Sequence, residues 1–271
     1  MSIPKICVLR APGTNCDLET AFAFERAGGR AERVHLFRLL ERPSLLREYQ
    51  ILCIPGGFSY GDDVGAGVVF GNQLRVHLGA AVGEFLQSNK LALGICNGFQ
   101  VLMKSGILPG PALGDSAVAG AAPQATLTWN ENGRYTARWV GLSVNGSRSV
   151  FLRGIDRIEL PIAHAEGRVA VRDRSLVETW RETGQLAIQY AAFRSIEPTM
   201  AAWNCSRFPA NPNGSVADIA GLGDETGRVL GLMPHPERFI DATQHPQWTR
   251  RRLKGDGDGL RLFRNAVEYF A

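Results

Sequence analysis

Gly94-Ile95-Cys96-Asn97-Gly98-Phe99-Gln100 follows directly on the apolar run Leu91-Ala92-Leu93. A G-x-nucleophile-x-G sequence in that position reads as a sharp strand-to-helix turn, a nucleophile elbow with cysteine where serine often stands. The flanking glycines admit the tight backbone and the close approach of neighbouring chain. Such a turn aims the Cys96 sulfur into a cleft, beside helix N-terminal amides that favour thiolate. A buried, inert cysteine between two glycines is the competing reading of the motif taken alone.

A second apolar run, Val229 to Leu232, leads into Met233-Pro234-His235-Pro236-Glu237-Arg238. A thiol needs a base to become a good nucleophile, and the base needs an orienting partner. In extended backbone, residues i and i+2 point the same way. The flanking prolines favour that backbone at Met233 and His235. The pattern therefore predicts His235 and Glu237 facing Cys96 together from a neighbouring strand end.

The chain's 271 residues fit one large domain, or one domain with an insertion. A hydrophobic share of 45% with 21% charged residues places it among ordinary globular chains, and a net charge of +4 is too mild to argue for nucleic acid. Arg250-Arg251-Arg252 with Lys254 reads as a solvated surface. The five cysteines (Cys7, Cys16, Cys53, Cys96, Cys205) are widely spaced, and no C-x-x-C occurs. Neither a disulfide framework nor a zinc ribbon is suggested, and no metal is expected. Cys7 and Cys53 lie in strand-like runs and read as core. The pattern suits a reducing cytoplasm. No secretory signal and no membrane-spanning stretch is read from the sequence.

Strand-like runs at 6–9, 34–36, 51–54 and 91–95 alternate with helical patterns at 17–27, 43–49, 64–86 and from Gly98 to Met103. That rhythm predicts right-handed crossovers and a mostly parallel sheet with helices on both faces. Residues 106–124, rich in Gly, Pro and Ala, read as loop. Residues 125–205 carry strand-like runs at 135–144, 158–162 and 186–190 with little helix signal. They are expected to form a mixed or antiparallel section packed on a core made of 1–106 and 225–271. Helix returns at 259–270 and closes a single domain over 1–271.

Pro55-Gly56-Gly57-Phe58-Ser59-Tyr60-Gly61-Asp62-Asp63 ends the third strand. Loops at the carboxyl ends of parallel strands line the ligand crevice, so this loop shares an edge with Cys96. Attack on an amide or ester builds an oxyanion that needs fixed donors. The loop at Gly56 and Gly57, and the backbone amide of Asn97, are the candidates. The loop lacks the Walker A lysine and is not the dinucleotide fingerprint.

With these residues assembled, the chain resembles the class I glutamine amidotransferases, which share a Cys-His-Glu triad, a G-x-C-x-G elbow and a Pro-Gly-Gly oxyanion loop. Within them it resembles the glutaminase subunits of phosphoribosylformylglycinamidine synthase. That likeness rests on Ala11 to Asp17, Gly56 to Asp62, Gly94 to Gln100, Pro161-Ile162-Ala163-His164, Asn211 to Ser215 and Met233 to Arg238, in that order. Ala165 departs from the family's His-Gly-Glu-Gly. The chain also looks longer than the compact form, which leaves residues 240–257 without a role.

The resemblance implies a flavodoxin-like amidotransferase fold. It implies that Cys96 attacks the glutamine side-chain amide, that His235 moves the proton, that Glu237 orients His235, and that a glutamyl thioester is hydrolysed. Gly56, Gly57, Asn97 and Gln100 would bind substrate or oxyanion. Ammonia would pass to a synthetase subunit carrying ATP and Mg2+, with a small third subunit in the assembly. His164 and Glu166, a second His-x-Glu pair, are expected at the partner interface or the ammonia exit.

Three rival readings come from other classes. A stand-alone cysteine hydrolase, a peptidase or glutamyl hydrolase on a similar fold, would be fully active without partners. A non-catalytic module with a redox-sensing Cys96 would oxidise but not turn over glutamine, and the intact His-Pro-Glu argues against it. A zinc deaminase would use the H-x-E of His164-Ala165-Glu166, but the P-C-x-x-C it needs is missing.

Overall fold

A computed structural model describes residues 3–110, 123–144, 147–192 and 208–271. The chain begins β1 (Lys5–Arg10), α1 (Asp17–Arg26), β2 (Arg30–His35), α2 (Leu36–Glu41) and β3 (Ile51–Ile54). It continues α3 (Val68–His77), α4 (Gly79–Gln87), β4 (Leu91–Ile95), α5 (Asn97–Lys104), β5 (Ala125–Thr128), β6 (Thr136–Ser143), β7 (Arg157–His164) and β8 (Arg168–Val171). It ends α6 (Ser175–Glu182), β9 (Leu186–Ala191), β10 (Ile219–Gly223), β11 (Val229–Leu232), α7 (Trp248–Arg251) and α8 (Leu260–Glu268).

Nine strands form one sheet in the order β2-β1-β3-β4-β11-β10-β9-β6-β7, with β5 and β8 paired separately. The first five are mutually parallel and the remaining neighbours antiparallel. The parallel order is the flavodoxin-like one. β3, β4 and β11 are buried at every residue, as central parallel strands covered on both faces should be. The β1-to-β2 crossover through α1 runs one way along the sheet and the β3-to-β4 crossover through α3 and α4 runs the other. Right-handed connections then put those helices on opposite faces. Phe24 of α1 meets Phe263 of α8 edge-on at 4.9 Å, sealing one of them.

The β-rich section extends the sheet rather than packing on it, because β9 and β6 continue the hydrogen-bonded order beyond β10. Only Gly141 to Ser143 of β6 pair with β9, whereas all of β6 pairs with β7. The β6–β7 hairpin therefore projects past the sheet as an arm. Where helix was not expected, α6 runs through the section, burying only Val177 and Trp180. The second strand begins earlier than its apolar residues, and Leu36 belongs to α2, whose N-terminus His35 caps through Nδ1. Residues 111–122 of the Gly/Pro/Ala-rich stretch, and 193–207 with Cys205, lie outside the described residues.

Residues 240–257 clamp the arm from behind. His245 packs against Trp139 of β6 at 4.4 Å between centroids, the rings tilted by 58°. Glu159 of β7 takes His245 Nε2 on one carboxylate oxygen (2.9 Å) and Arg251 Nη1 on the other (2.7 Å). Among the described residues, no helix is long and apolar enough to cross a membrane.

Candidate active site

Three adjacent parallel strands deliver the chemistry. Ile54 of β3 is level with Gly94 of β4, and Leu232 of β11 with Ile95. The Gly56-Gly57 loop, Cys96 and the His235 segment thus leave the same sheet edge. Cys96 sits at φ 50° and ψ −104°, the strained elbow that the motif predicts. Gly98 is obligatory there, since a Cβ would fall 1.8 Å from the Ile54 carbonyl oxygen. The Cys96 amide donates to the Leu232 carbonyl at 2.7 Å, which ties the elbow to the histidine strand.

His235 and Glu237 are both buried, and His235 Nδ1 lies 2.6 Å from Glu237 Oε1. Their pairing does not come from continued strand, as the spacing suggested. Pro236–Arg238 is a 3-10 turn that folds the carboxylate back under the ring. Burial alone would push the imidazole's pKa down, but the Glu237 carboxylate and the Cys96 sulfur more than offset it and hold it well above its ordinary range. His235 Nε2 has no hydrogen-bond partner among protein groups. With Nδ1 committed to Glu237, Nε2 is the nitrogen free for proton traffic with sulfur and leaving group.

The glycine loop is zipped to the segment after β1. Phe58 N donates to the Gly13 carbonyl at 3.0 Å and Tyr60 N to the Pro12 carbonyl at 2.7 Å. Gly57 has φ 140°, open to glycine but hostile to a side chain. Asn97 braces the loop through its side chain, accepting from Ser59 N at 3.2 Å and donating to Asp62 Oδ1 at 3.2 Å and to Gln100 Oε1 at 3.0 Å. Gln100 Nε2 in turn donates to the Glu166 carbonyl. Beyond Ser59 the backbone is strained, with Tyr60, Asp62 and Val64 all at φ 55–56°. Burial, then the nearby Glu166 carboxylate, pushes the Asp62 pKa up to about 6.

The arm brings the second His-x-Glu pair to the site. His235 N donates to the Pro161 carbonyl at 2.8 Å, and Cys96 Sγ lies 3.8 Å from the Ala163 carbonyl oxygen. His164 is 3% exposed, so a direct contact with a partner chain is closed to its side chain. Its Nδ1 faces Asn130 Oδ1 at 3.1 Å, and that oxygen also accepts from Gly167 N. Nδ1 therefore carries the proton and Nε2 is a bare, buried, unpartnered acceptor. Burial, then His235, pushes the His164 pKa down to about 3. Glu166 accepts from Ala66 N at 3.3 Å. Ala165 is not at positive φ, so alanine replaces the family's glycine without backbone strain.

Two residues near the triad went unread in the sequence. Cys16 packs beside His235, and Arg238 Nη2 donates to its sulfur at 3.1 Å while Nε donates to Glu19. Their one sequence signal was membership of the Ala11-to-Asp17 and Met233-to-Arg238 blocks.

This geometry is that of a glutamine amidotransferase, and the chain belongs to that family: residues 3–270 match the CobB/CobQ-like glutamine amidotransferase domain. More narrowly, it groups with chains named phosphoribosylformylglycinamidine synthase subunit PurQ. The one from Dehalococcoides mccartyi is 46% identical over 99% of this chain and 98% of its own length. That from Archaeoglobus fulgidus is 35% identical, covering 98% and 96%. The solved structure of PurLQS from Thermotoga maritima superposes with a TM-score of 0.71 at 28% identity, over the whole of both chains. A glutamine amidotransferase from the same organism, at 16% identity and TM-score 0.51, shares the fold.

Proposed function

We propose that this chain is the glutaminase subunit of phosphoribosylformylglycinamidine synthase, working in purine biosynthesis. It hydrolyses glutamine and delivers ammonia to a synthetase subunit, which converts formylglycinamide ribonucleotide to the amidine with ATP and Mg2+. A small third subunit completes the assembly, and the compartment is the cytoplasm. The observation that carries the reading is His235 held between Glu237 at 2.6 Å and the strained Cys96 elbow. The PurQ relatives, and the likeness to PurLQS, support the partner assignment.

In this reading Cys96 sulfur attacks the glutamine carboxamide carbon and the thiol proton resides on His235 Nε2. Backbone amides at Gly57 and Asn97 face the oxyanion. Collapse of the tetrahedral species breaks the carbon–nitrogen bond, and His235 returns the proton to the departing ammonia. Water then attacks the thioester, glutamate leaves and the thiol is restored. Gln100 and Asn97 hold the floor of the glutamine pocket. The bare Nε2 of neutral His164 is the acceptor this reading assigns to the departing ammonia. The test is reconstitution with the synthetase and third subunit: glutamine should yield one glutamate per amidine product. Glutamate release without amidine formation would favour a lone hydrolase.

A further inference from the structure

We propose that Cys16, locked by Arg238, is a positioning residue for glutamine turnover, one that sets the direction of the oxyanion-binding amide at Gly57. The Cys16 amide donates to the Gly56 carbonyl at 3.2 Å. That carbonyl and the Gly57 N–H belong to one peptide unit, whose planar trans geometry points them in opposite directions. Drawing the Gly56 oxygen toward Cys16 therefore turns the Gly57 N–H away from it. Among the described residues that N–H has no hydrogen-bond partner. Thr14 and Gly57 form an antiparallel bridge that supports the same orientation. Glycine stands at both ends of the unit, so the peptide itself resists turning over only weakly, and the hold comes from outside it.

Cys16 is buried, and its sulfur is gripped from the far side. Arg238 Nη2 donates to Sγ at 3.1 Å, Arg238 Nε donates to Glu19 at 3.0 Å, and Sγ donates to Asn15 Oδ1 at 3.4 Å. Gly56 fits between that sulfur and the base. A Cβ built on it would stand 3.2 Å from Cys16 Sγ and 2.8 Å from His235 Cε1. Arg238 closes the 3-10 turn that carries Glu237. One side chain thus links the segment that moves the proton to the peptide that receives the oxyanion. Without the sulfur, residue 16 loses Arg238 and leaves a gap beside Gly56, and the Gly56–Gly57 unit is released to rotate. The role rests on the amidotransferase reading, because it presumes chemistry that builds an oxyanion.

The test uses the full chain in the reconstituted assembly. Cys16→Ala should lower kcat for glutamine at least ~10-fold with KM within ~2-fold, the pattern of an interaction made only in the transition state. Arg238→Lys should move kcat the same way, since lysine keeps the charge but lacks the fork that reaches sulfur and Glu19 at once. The double variant should fall no further than Cys16→Ala, because both changes cut one link. Cys16→Ser keeps an acceptor for Arg238 and should recover most of the lost rate. Glutamate γ-semialdehyde adds to Cys96 as a hemithioacetal whose oxygen sits where the oxyanion forms. It should bind Cys16→Ala at least ~10-fold more weakly than wild type. Iodoacetamide alkylates Cys96 by displacement at carbon and builds no oxyanion. Its rate and pH profile, read by mass spectrometry of the Cys96 peptide, should stay within ~2-fold of wild type in Cys16→Ala. Wild-type kcat in folded Cys16→Ala, or in Arg238→Lys where Cys16→Ala does not fold, would overturn the proposal. So would additive losses in the double variant. An alkylation profile that shifts along with kcat would overturn it too, by placing the effect on His235 itself. In each of these cases an active wild type leaves the amidotransferase reading standing, whereas a wild type that turns over no glutamine overturns both.

Discussion

His235 and Pro161 share a backbone hydrogen bond of 2.8 Å, although β7 stands four places beyond β11 in the sheet order. His235, the proposed base, is thus fixed from two directions, by Glu237 through the ring and by the arm through the amide. That double fixation makes the roles of individual side chains separable by experiment.

Cys96→Ser should abolish glutamine-dependent amidine formation in the assembled enzyme while free ammonia still supports it. In the proposed division of labour the Cys96 elbow acts on glutamine and the synthetase acts on the ribonucleotide. Amidine formation measured with each nitrogen source decides this. Loss of the ammonia-dependent rate in an intact complex would break the division of labour.

His235→Ala should lower glutaminase turnover by ~10³-fold or more, and Glu237→Gln should fall in the same range, because a triad acts as a unit. His164→Ala should leave thioester formation at Cys96 largely intact even if coupled synthesis drops. Trapping Cys96 with a glutamine-analogue electrophile reads the two apart. Labelling kept in His235→Ala but lost in His164→Ala would exchange the two assignments.

The isolated chain should hydrolyse glutamine slowly, and docking on the synthetase should raise the rate. Tyr60, Asp62 and Val64 hold left-handed backbone in a loop that also carries Gly57, Gly61 and Gly65. Non-glycine residues so placed cost roughly 1–3 kcal/mol each, and persist where surroundings over-determine them. A rearranged loop is therefore energetically close. Equal turnover by free and assembled chain would remove the argument for a switch.

Asp62 gives a pH test with a defined sign. Its pKa stands at about 6 in the fold against an ordinary 3.8. Between those values the unfolded chain releases a proton that the native state keeps, so stability should fall as pH rises from about 4 to about 6. Asp62→Asn should remove that component of the slope while still accepting from Asn97. Urea midpoints at pH 4 and pH 7 measure it, and an unchanged pH slope in Asp62→Asn would mean that Asp62 ionises normally.

What was legible in the chain was local. Ile51 to Ile54, Leu91 to Ile95 and the elbow declared themselves because unbroken apolar runs ended at glycines, and their carboxyl ends had to meet in a parallel sheet. Glu237 was found by spacing although the reason was different, a 3-10 turn in place of strand. β2 began unseen because Arg30 to Arg33 line a solvent-facing edge. α6 was hidden because its Ser175–Glu182 sequence is mostly polar and buries two side chains. The position of His164 beside the nucleophile was not readable at all, since it depends on how far β6 and β7 run past β9. Cys16 likewise meets His235 across Gly56, whose carbonyl accepts from the Cys16 amide, a relation no spacing encodes.

The arm has a consequence for anyone who would cut this chain. A minimal version assembled from 1–106 and 225–271 would retain nucleophile, base and orienting carboxylate, and would look complete on paper. It would also strip the Pro161 carbonyl from the His235 amide, and remove the Ala163 carbonyl that walls in the Cys96 sulfur. Glu159, the anchor shared by His245 and Arg251, would go with them. Such a fragment would carry all three reactive groups on a floor without a roof. The shortest functional piece of this protein is therefore set by the hairpin, not by the residues that perform the chemistry.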